Sequence, residues 1–563
     1  MLDIPGCGSD EYRIVAIPAI SLQKKIIARL SPRIDFALRV REGFAHRHRM
    51  RTIVVNDYHF EPLGLTDYSF LVQETPERHM SVAGVAIFDA GPLRRRDGGI
   101  DFATIRNATA VAIEQIPRYR QKLLWRTHRE LASYLGLGDG AHEDESLPPV
   151  WVDDPHFDID YHMRHTALPR PGSEAQLKTL AGRIASQPLD RSRPLWETWI
   201  VEGLEGGRFA LISKLHHCMI DGMSGMDISR ILSSTSPDYD PGKPSPWRAR
   251  RAPTRRELER ELQRAQLGAP LRMLKDLVAR DAAELGGEIV HRIKGIGETF
   301  AETAGAKRTP TPLNGRNGPH RAIDWITVPL ERIRAASEAM ACTVNDVVLT
   351  IVTGAFREYL LNTDFVPGSA PFRATVPVSI WGDRRKGEIG NQIAVWMIEL
   401  PLGESTPRAQ LRAIHAVTEQ HKHSDRPLGI KTLESVLRLM PGLVSLAVRN
   451  AAGPANTLVT NIPGPQVPLY EMGAEQLAAY PIVPLLEEMG IGIGVMSYNG
   501  LTCWGITADK NIVPDVSVFT RALEKSVTAV QRASGQRAKA RRTSTTANRK
   551  SAPRKGVAAR KPR

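Results

Sequence analysis

The chain has 563 residues, too many for one ordinary hydrophobic core, so two domains with extensions are expected. Net charge is +14, but twelve Lys and Arg and no acidic residue fall in residues 532–563, so the body is close to neutral and nucleic-acid binding is not implied for it. Cys7, Cys218, Cys342 and Cys503 are scattered without a CxxC pair, which suits a reducing compartment, and with no apolar run of about 18 residues neither a signal peptide nor a membrane span is expected.

Residues 1–60 carry a basic excess and a weak helical pattern through Ile20, Ile26, Ile27 and Leu30, and read as an appended segment. A first domain is expected over 61–233, opening with EPLGLTDYSFLVQETPERHMSVAGVAIFD (61–89), which ends in an apolar strand. IPRYRQKLLW (116–125), PVWVDDPHFDIDYHMRH (149–165) and PLDRSRPLWETWIVEGL (188–204) follow. Pro194 and Leu195 before Trp196 place a rigid turn and a bulky wall ahead of a strand through Trp199 to Val201, a pattern that by itself is core packing more often than substrate contact. In RFALISKLHHCMIDGMSG (208–225) the apolar run Phe209 to Leu215 predicts a buried strand, with His216 and His217 directly after it. Asp221 and Gly222 end a turn, and Ser224 with Asp227 opens a helix through Met226, Ile228, Ile231 and Leu232.

Residues 234–320 read as a linker: a Ser/Pro/Arg-rich stretch to 253, a helical segment opened by the capping box Thr254 and Glu257, and the helix-breaking KRTPTPLNGRNGPHR (307–321). The second domain, 321–531, starts with a strand from Ala322 to Val328 and a helix that includes Ile333 and Ala336. TVNDVVLTIVTGAFREYL (343–360) is helical, with Asn345 and Asp346 near its N-terminus as capping residues. ATVPVSI (374–380), GNQIAVWMIELP (390–401) and TLVTNIPGPQ (457–466) read as strands and strand-ending turns, and GIGIGVMSYNGLTCWGITAD (490–509) as a hairpin around Asn499-Gly500. Residues 532–563 cannot form a core and are expected to be disordered.

Successive side chains of an extended chain point to opposite faces, so only one of His216 and His217 lines a given cavity while the other packs. An imidazole is suited to taking a proton from a hydroxyl, amine or thiol, and Asp221 is suited to accept from an imidazole or to pair with an arginine. A metal site is disfavoured, because adjacent strand residues diverge and no further Cys/His cluster accompanies them. GMSGM (222–226) lacks the final glycine of a nucleophile elbow, and the glycines of 490–509 do not form GxGxxG. The plainer alternative is a pair of hydrogen-bonded core histidines.

HHxxxDG at 216–222 resembles the active-site motif of the CoA-dependent acyltransferase superfamily, and the segments above resemble, in order from about 61 to 531, the bacterial wax ester synthase/diacylglycerol acyltransferase family. The opening departs from that family at His79, Met80 and Ser81, where PMH is usual. The resemblance implies an α/β (α+β) fold of two chloramphenicol-acetyltransferase-like domains with mixed sheets and helices and an active-site tunnel at their interface. It implies His217 as general base, with His216 beside it and Asp221 mainly holding the loop that ends at Gly222. Pro194, Leu195 and Trp196 would lie near the acyl cavity, Asn345 and Asp346 near the active site, and Asn345, Ser379 or Asn461 would be candidates to stabilise an oxyanion. The implied activity is transfer from acyl-CoA to diacylglycerol or a long-chain alcohol, with no metal or redox cofactor. Such substrates suggest a cytoplasmic protein on the surface of the inner membrane or a lipid droplet, and the basic tail suits a polyanion, membrane or nucleic acid. The alternatives are condensation-type or other transfer within the superfamily, or an idle lipid- or polyanion-binding protein.

Overall fold

A computed structural model of the chain describes residues 57–125, 148–219, 230–262, 264, 308–379, 393–422 and 455–535. Residues 1–56 of the appended segment, residues 536–563 of the basic tail, Asp221, Gly222 and most of the helix expected after them lie outside the described residues, while 532–533 end α7. In the first half the main elements are α1 (Leu65–Gln73), β1 (Ser81–Asp89), α2 (Phe102–Ala112), β2 (Met163–Ala167), α3 (Glu174–Ala185), β3 (Trp196–Leu204) and β4 (Arg208–His216). In the second they are β5 (Arg321–Pro329), α4 (Leu330–Ala339), α5 (Val344–Leu360), β6 (Phe372–Ser379), β7 (Ile393–Leu400), α6 (Pro407–Lys422), β8 (Thr457–Ile462), β9 (Ala474–Ile482), β10 (Ile491–Tyr498), β11 (Leu501–Asp509) and α7 (Val516–Ala533).

The strands form two six-stranded sheets and one small three-stranded sheet. The first large sheet runs Tyr470–Glu471, β9, β1, β4, β3, β2, and the second runs β7, β6, β8, β10, β11, β5. The sheets do not divide the chain at the expected boundary near 321, because β9 leaves the second half and pairs antiparallel with β1, Ile482 opposite Ala83. That crossing brings backbone against backbone. A Cβ on Gly505 of β11 would lie 1.8 Å from the Pro481 carbonyl oxygen, so only glycine fits there.

β4 sits inside the first sheet between β1 and β3, and its two faces belong to different cores. Phe209 packs into one with Leu195, Trp196 and Tyr68, while Ala210 and Ile212 pack into the other with Leu177 and Ile184 of α3. A strand covered on both faces reads as a continuous apolar run, which is the pattern of 209–215. Lys214 interrupts that run and is 1% exposed; its ammonium donates to the carbonyls of Ile184 in the last turn of α3 and Gln187 just past it, and to Glu197. A buried cation is tolerable only with its donors filled, and here all three are.

In the second half α5 is buried along most of its length, from Val347 to Leu360, and packs between α6 and α7. Such a helix is apolar nearly all round because no face meets water. The β10–β11 hairpin turns at Asn499 and Gly500, with φ of 42° and 77°, the paired positive values a type I′ turn requires. Thr254 and Glu257 form the expected reciprocal cap, and the preceding stretch is pinned by Arg250, which holds Asp153 with its backbone and guanidinium. Arg321, 6% exposed, joins the halves by donating to Asp509 of β11 and to the Glu77 carbonyl ahead of β1. Among the described residues no single helix is long and apolar enough to cross a membrane.

Candidate active site at the end of β4

β4 ends on His216, paired with Ser81 of β1, and its N–H donates to the Leu195 carbonyl at 2.9 Å. His217 then opens a single 3-10 turn, with its own N–H on the Met80 carbonyl at 2.9 Å. Neighbouring strands thus hold both histidines by their backbones, and the turn separates the side chains. His216 points inward and is 1% exposed. Its Nδ1 accepts the Cys218 N–H at 3.2 Å, which leaves the ring proton to Nε2. Nε2 faces Glu74 Oε2 at 3.6 Å, an ion-pair distance too long for a hydrogen bond.

Glu74 caps the C-terminal end of α1. Its carboxylate accepts from Arg191 Nε at 3.2 Å and Nη2 at 2.8 Å, and from the Met80 N–H at 3.3 Å. Burial raises the Glu74 pKa, but His216 and then Arg191 outweigh it and hold the carboxyl at about 2. The carboxylate therefore stays charged, and it fixes Met80, whose carbonyl in turn holds His217.

His217 lies flat on Phe70, ring centroids 3.8 Å apart and planes 19° from parallel. Its Nδ1 is buried with no hydrogen-bond partner among the described residues. Burial, with His216 adding to it, pushes its pKa down to about 4, so the imidazole is neutral at pH 7 and one ring nitrogen carries no proton. Phe70 lies in the last turn of α1 and Glu74 caps that turn, so the end of the helix presents a ring to His217 and a carboxylate to His216.

Leu195 and Trp196 are 0% and 2% exposed. The Trp196 indole N–H donates to the Tyr119 carbonyl at 2.9 Å, and its ring stacks on His162 at 4.6 Å. These two residues form a packed wall that reaches the site through the Leu195 carbonyl, while Pro194 and Trp196 border a cavity described below.

Asp346 is 0% exposed. It accepts from the Thr343 N–H at 3.0 Å, His415 Nδ1 at 2.9 Å and Thr418 Oγ1 at 2.8 Å. Burial opposes its ionisation, but these bonds outweigh it and hold its pKa below the ordinary 3.8. Asn461 at the end of β8 donates from Nδ2 to Asn345 Oδ1 at 3.4 Å. Ser379 closes β6 opposite Ile393, and its side chain is outside the described residues. The structure thus brings Asn345 to Asn461 and gives Asp346 a capping and bracing role; no hydrogen bond among the described residues joins this group to His217. Sequence reasoning missed Phe70, Glu74, Arg191, His415 and Thr418, although the four-residue spacing of Phe70 and Glu74 on a helix was a usable signal. Among the described residues no group of three or more His, Cys, Asp or Glu is placed to hold a metal.

The family model for the wax ester synthase/diacylglycerol acyltransferase catalytic domain matches residues 63–348, and the model for the C-terminal domain of the same family matches 389–531. A putative diacylglycerol O-acyltransferase of Mycobacterium tuberculosis is 30% identical over 471 residues, covering 81% of this chain and 87% of the relative. A probable diacylglycerol O-acyltransferase of the same organism is 29% identical over 485 residues, 84% of this chain and 97% of the relative. Among solved structures, the wax ester synthase/diacylglycerol acyltransferase from Marinobacter aquaeolei VT8 superposes with a TM-score of 0.56 at 25% identity, covering 84% of this chain and all of that one. The first condensation domain of the calcium-dependent antibiotic synthetase, at a TM-score of 0.51 and 16% identity over 84% of this chain and 96% of that one, shares the fold.

Proposed function

This chain belongs to the wax ester synthase/diacylglycerol acyltransferase family, and from that premise we propose that it moves an acyl group from acyl-CoA to the free hydroxyl of diacylglycerol, with His217 as general base. It is an acyltransferase of this family; the acceptor and the base are our reading. The observation that carries it is the neutral imidazole of His217, desolvated, clamped by Phe70 and braced through Met80 and Glu74. In the proposed step His217 takes the hydroxyl proton as the alcohol oxygen attacks the thioester carbonyl carbon. The tetrahedral intermediate then collapses, the carbon–sulfur bond breaks, and the imidazolium returns the proton to the leaving CoA thiolate. One proton goes out and comes back, so the proposed transfer needs no metal or redox group.

Asn345 and Asn461 are the amides best supported as oxyanion donors, since they meet at the end of β8. The Marinobacter structure is named for wax ester synthesis as well, which supports a long-chain alcohol as second acceptor. Both acceptors are apolar, and we place the working enzyme at a membrane or lipid-droplet surface, with the basic tail of 532–563 drawing it to anionic lipid. The test is purified protein given labelled acyl-CoA and a panel of acceptors, with thiol release and product followed. Diacylglycerol should give ester and stoichiometric thiol; thiol release without ester, or ester from neither acceptor class, would overturn the reading.

A further inference from the structure

A cavity of about 300 Å³ opens at the edge of the first sheet, between the head of β2, the segment that follows α3 and the start of β3. Its size is at the lower end of small-molecule sites. Two acidic groups line it, and both are committed. Glu197 holds Lys214 at 2.9 Å, and Asp190 accepts from the Ser192 N–H and hydroxyl and lies 3.3 Å from Arg193. Arg164 is different. It lines the same cavity with no carboxylate at ion-pair distance among the described residues, and its Nε is buried without an acceptor. The guanidinium is nonetheless held in place, over Tyr161 at 4.8 Å and over Trp199 at 5.8 Å. A second guanidinium, Arg193, lies over the same Tyr161 ring at 4.0 Å.

A buried donor without an acceptor is costly unless something fills it, and a planar guanidinium fork fits two oxygens of an oxyanion. Arg193 is paired with Asp190 and does not line the cavity, so Arg164 is the guanidinium left to face an occupant, and its fork matches two oxygens of a phosphate. We propose that this cavity binds a phosphate group, with Arg164 as its counter-ion. The phosphate has two possible sources: the nucleotide end of CoA, an arm that rests on the acyl-CoA reading above, or a free phosphate acting as effector. Either occupant would border the Pro194–Trp196 turn, whose Leu195 carbonyl holds the His216 N–H, so occupancy touches the active-site scaffold directly.

The test uses the full chain and the variants Arg164→Gln and Arg164→Lys, titrated calorimetrically at low salt with pyrophosphate and with CoA. Arg164→Gln should weaken pyrophosphate binding about tenfold, the loss expected for one charge-assisted pair, and Arg164→Lys, which keeps the charge but not the fork, should restore part of it. Thermal melts of both variants check that the fold survives, and the lysine variant carries the comparison if the glutamine variant does not fold. If CoA is the source, CoA affinity falls in parallel and the KM for acyl-CoA rises by a similar factor. If free phosphate is the source, pyrophosphate affinity falls while CoA affinity and KM stay as in the wild type. Equal affinity of wild type and Arg164→Gln for both probes would overturn the proposal. Binding is read without turnover, so that outcome is distinct from failure of the acyltransferase reading, which would appear as no thiol release from the wild type.

Discussion

Two pairs of adjacent polar residues, His216–His217 at the end of β4 and Asn345–Asp346 at the start of α5, use the same device in different halves of the chain. In each, one member is withdrawn from water and the other is turned elsewhere: His216 is 1% exposed and Asp346 0%. The difference is in how the buried member is satisfied. Asp346 has the Thr343 amide, the Thr418 hydroxyl and the His415 ring on its two oxygens. His216 Nε2 and His217 Nδ1 are buried nitrogens with no hydrogen bond among the described residues. A filled set of bonds is what a scaffold needs, whereas unfilled buried nitrogens cost stability and persist where chemistry uses them. On this comparison the second pair braces the fold, and the first is where the proposed proton transfer is placed.

The largest effect should follow from His217→Ala. Loss of a general base slows turnover by about 100-fold to 10,000-fold, some 3 to 5 kcal/mol of activation, and the melting temperature should hardly change. His216→Ala should do the reverse, lowering the melt by more than it slows the reaction. Steady-state thiol release beside thermal melts reads both. A larger rate loss in His216→Ala would mean that the reactive member of the pair is the inner one.

Next in size is Asp346→Ala, which strips three hydrogen bonds from a buried site and should lower stability by about 2 to 4 kcal/mol. Its rate per folded molecule should fall less than tenfold. If denaturant titration showed unchanged stability and turnover were abolished, the contrast between the pairs would collapse, and Asp346 would belong to the reaction.

How much of this was legible beforehand differs between the two pairs for a physical reason. The HH and ND pairs, the Pro-Leu-Trp wall and the Asn-Gly hairpin are local signals, set by turn chemistry and by side-chain alternation over a few residues. The partners that distinguish the pairs are not local. Phe70 and Glu74 visibly stand four residues apart at the end of a helix, but nothing in the sequence of α1 states that this end meets the end of β4. His415 and Thr418 on α6 look like solvent-side polar residues until α6 packs against α5. The carboxylate sought beside the histidines was Asp221, which lies outside the described residues, while Glu74 is the one seen at His216. Likewise no strand is named from the sequence at 474–482, and nothing local there states which sheet receives β9.

Glu74→Gln sharpens the comparison from the reactive side, because Glu74 is the nearest thing to a filled partner that the histidine pair has. The neutral amide keeps an acceptor for the Met80 N–H but gives up the charge facing His216 and Arg191. Because Arg191 is partly exposed, the expected stability loss is about 1 to 3 kcal/mol rather than that of a fully buried pair. Turnover should drop roughly tenfold through looser placement of Met80 and hence of His217. Were Glu74→Gln to melt lower yet turn over at the wild-type rate, the brace from α1 would not reach His217.

The smallest effect is a slope, and it separates the two pairs on the pH axis. In the folded chain His217 titrates at about 4, against an ordinary 6.5. Between those values the unfolded chain takes up a proton that the folded chain refuses, so stability is fully present above 6.5 and is lost as pH falls from there toward 4. Asp346 works in the opposite sense of charge, because its folded pKa lies below 3.8 and its contribution is lost only as pH falls below that value. Glu74, held at about 2, adds its loss only below its ordinary 4.5. His79 and His162 are also pushed down by burial, so the wild-type slope between 6.5 and 4.5 is shared. The diagnostic is therefore the difference between proteins: His217→Gln should flatten stability against pH in that window by up to one proton, at most about 1.4 kcal/mol per pH unit, and Asp346→Asn should leave that window unchanged. Activity carries the same signature, with the acid limb of kcat/KM extending well below 6.5. Parallel curves for His217→Gln and wild type from 6.5 to 4.5 would show that His217 is not the desolvated imidazole on which the proposed proton transfer depends.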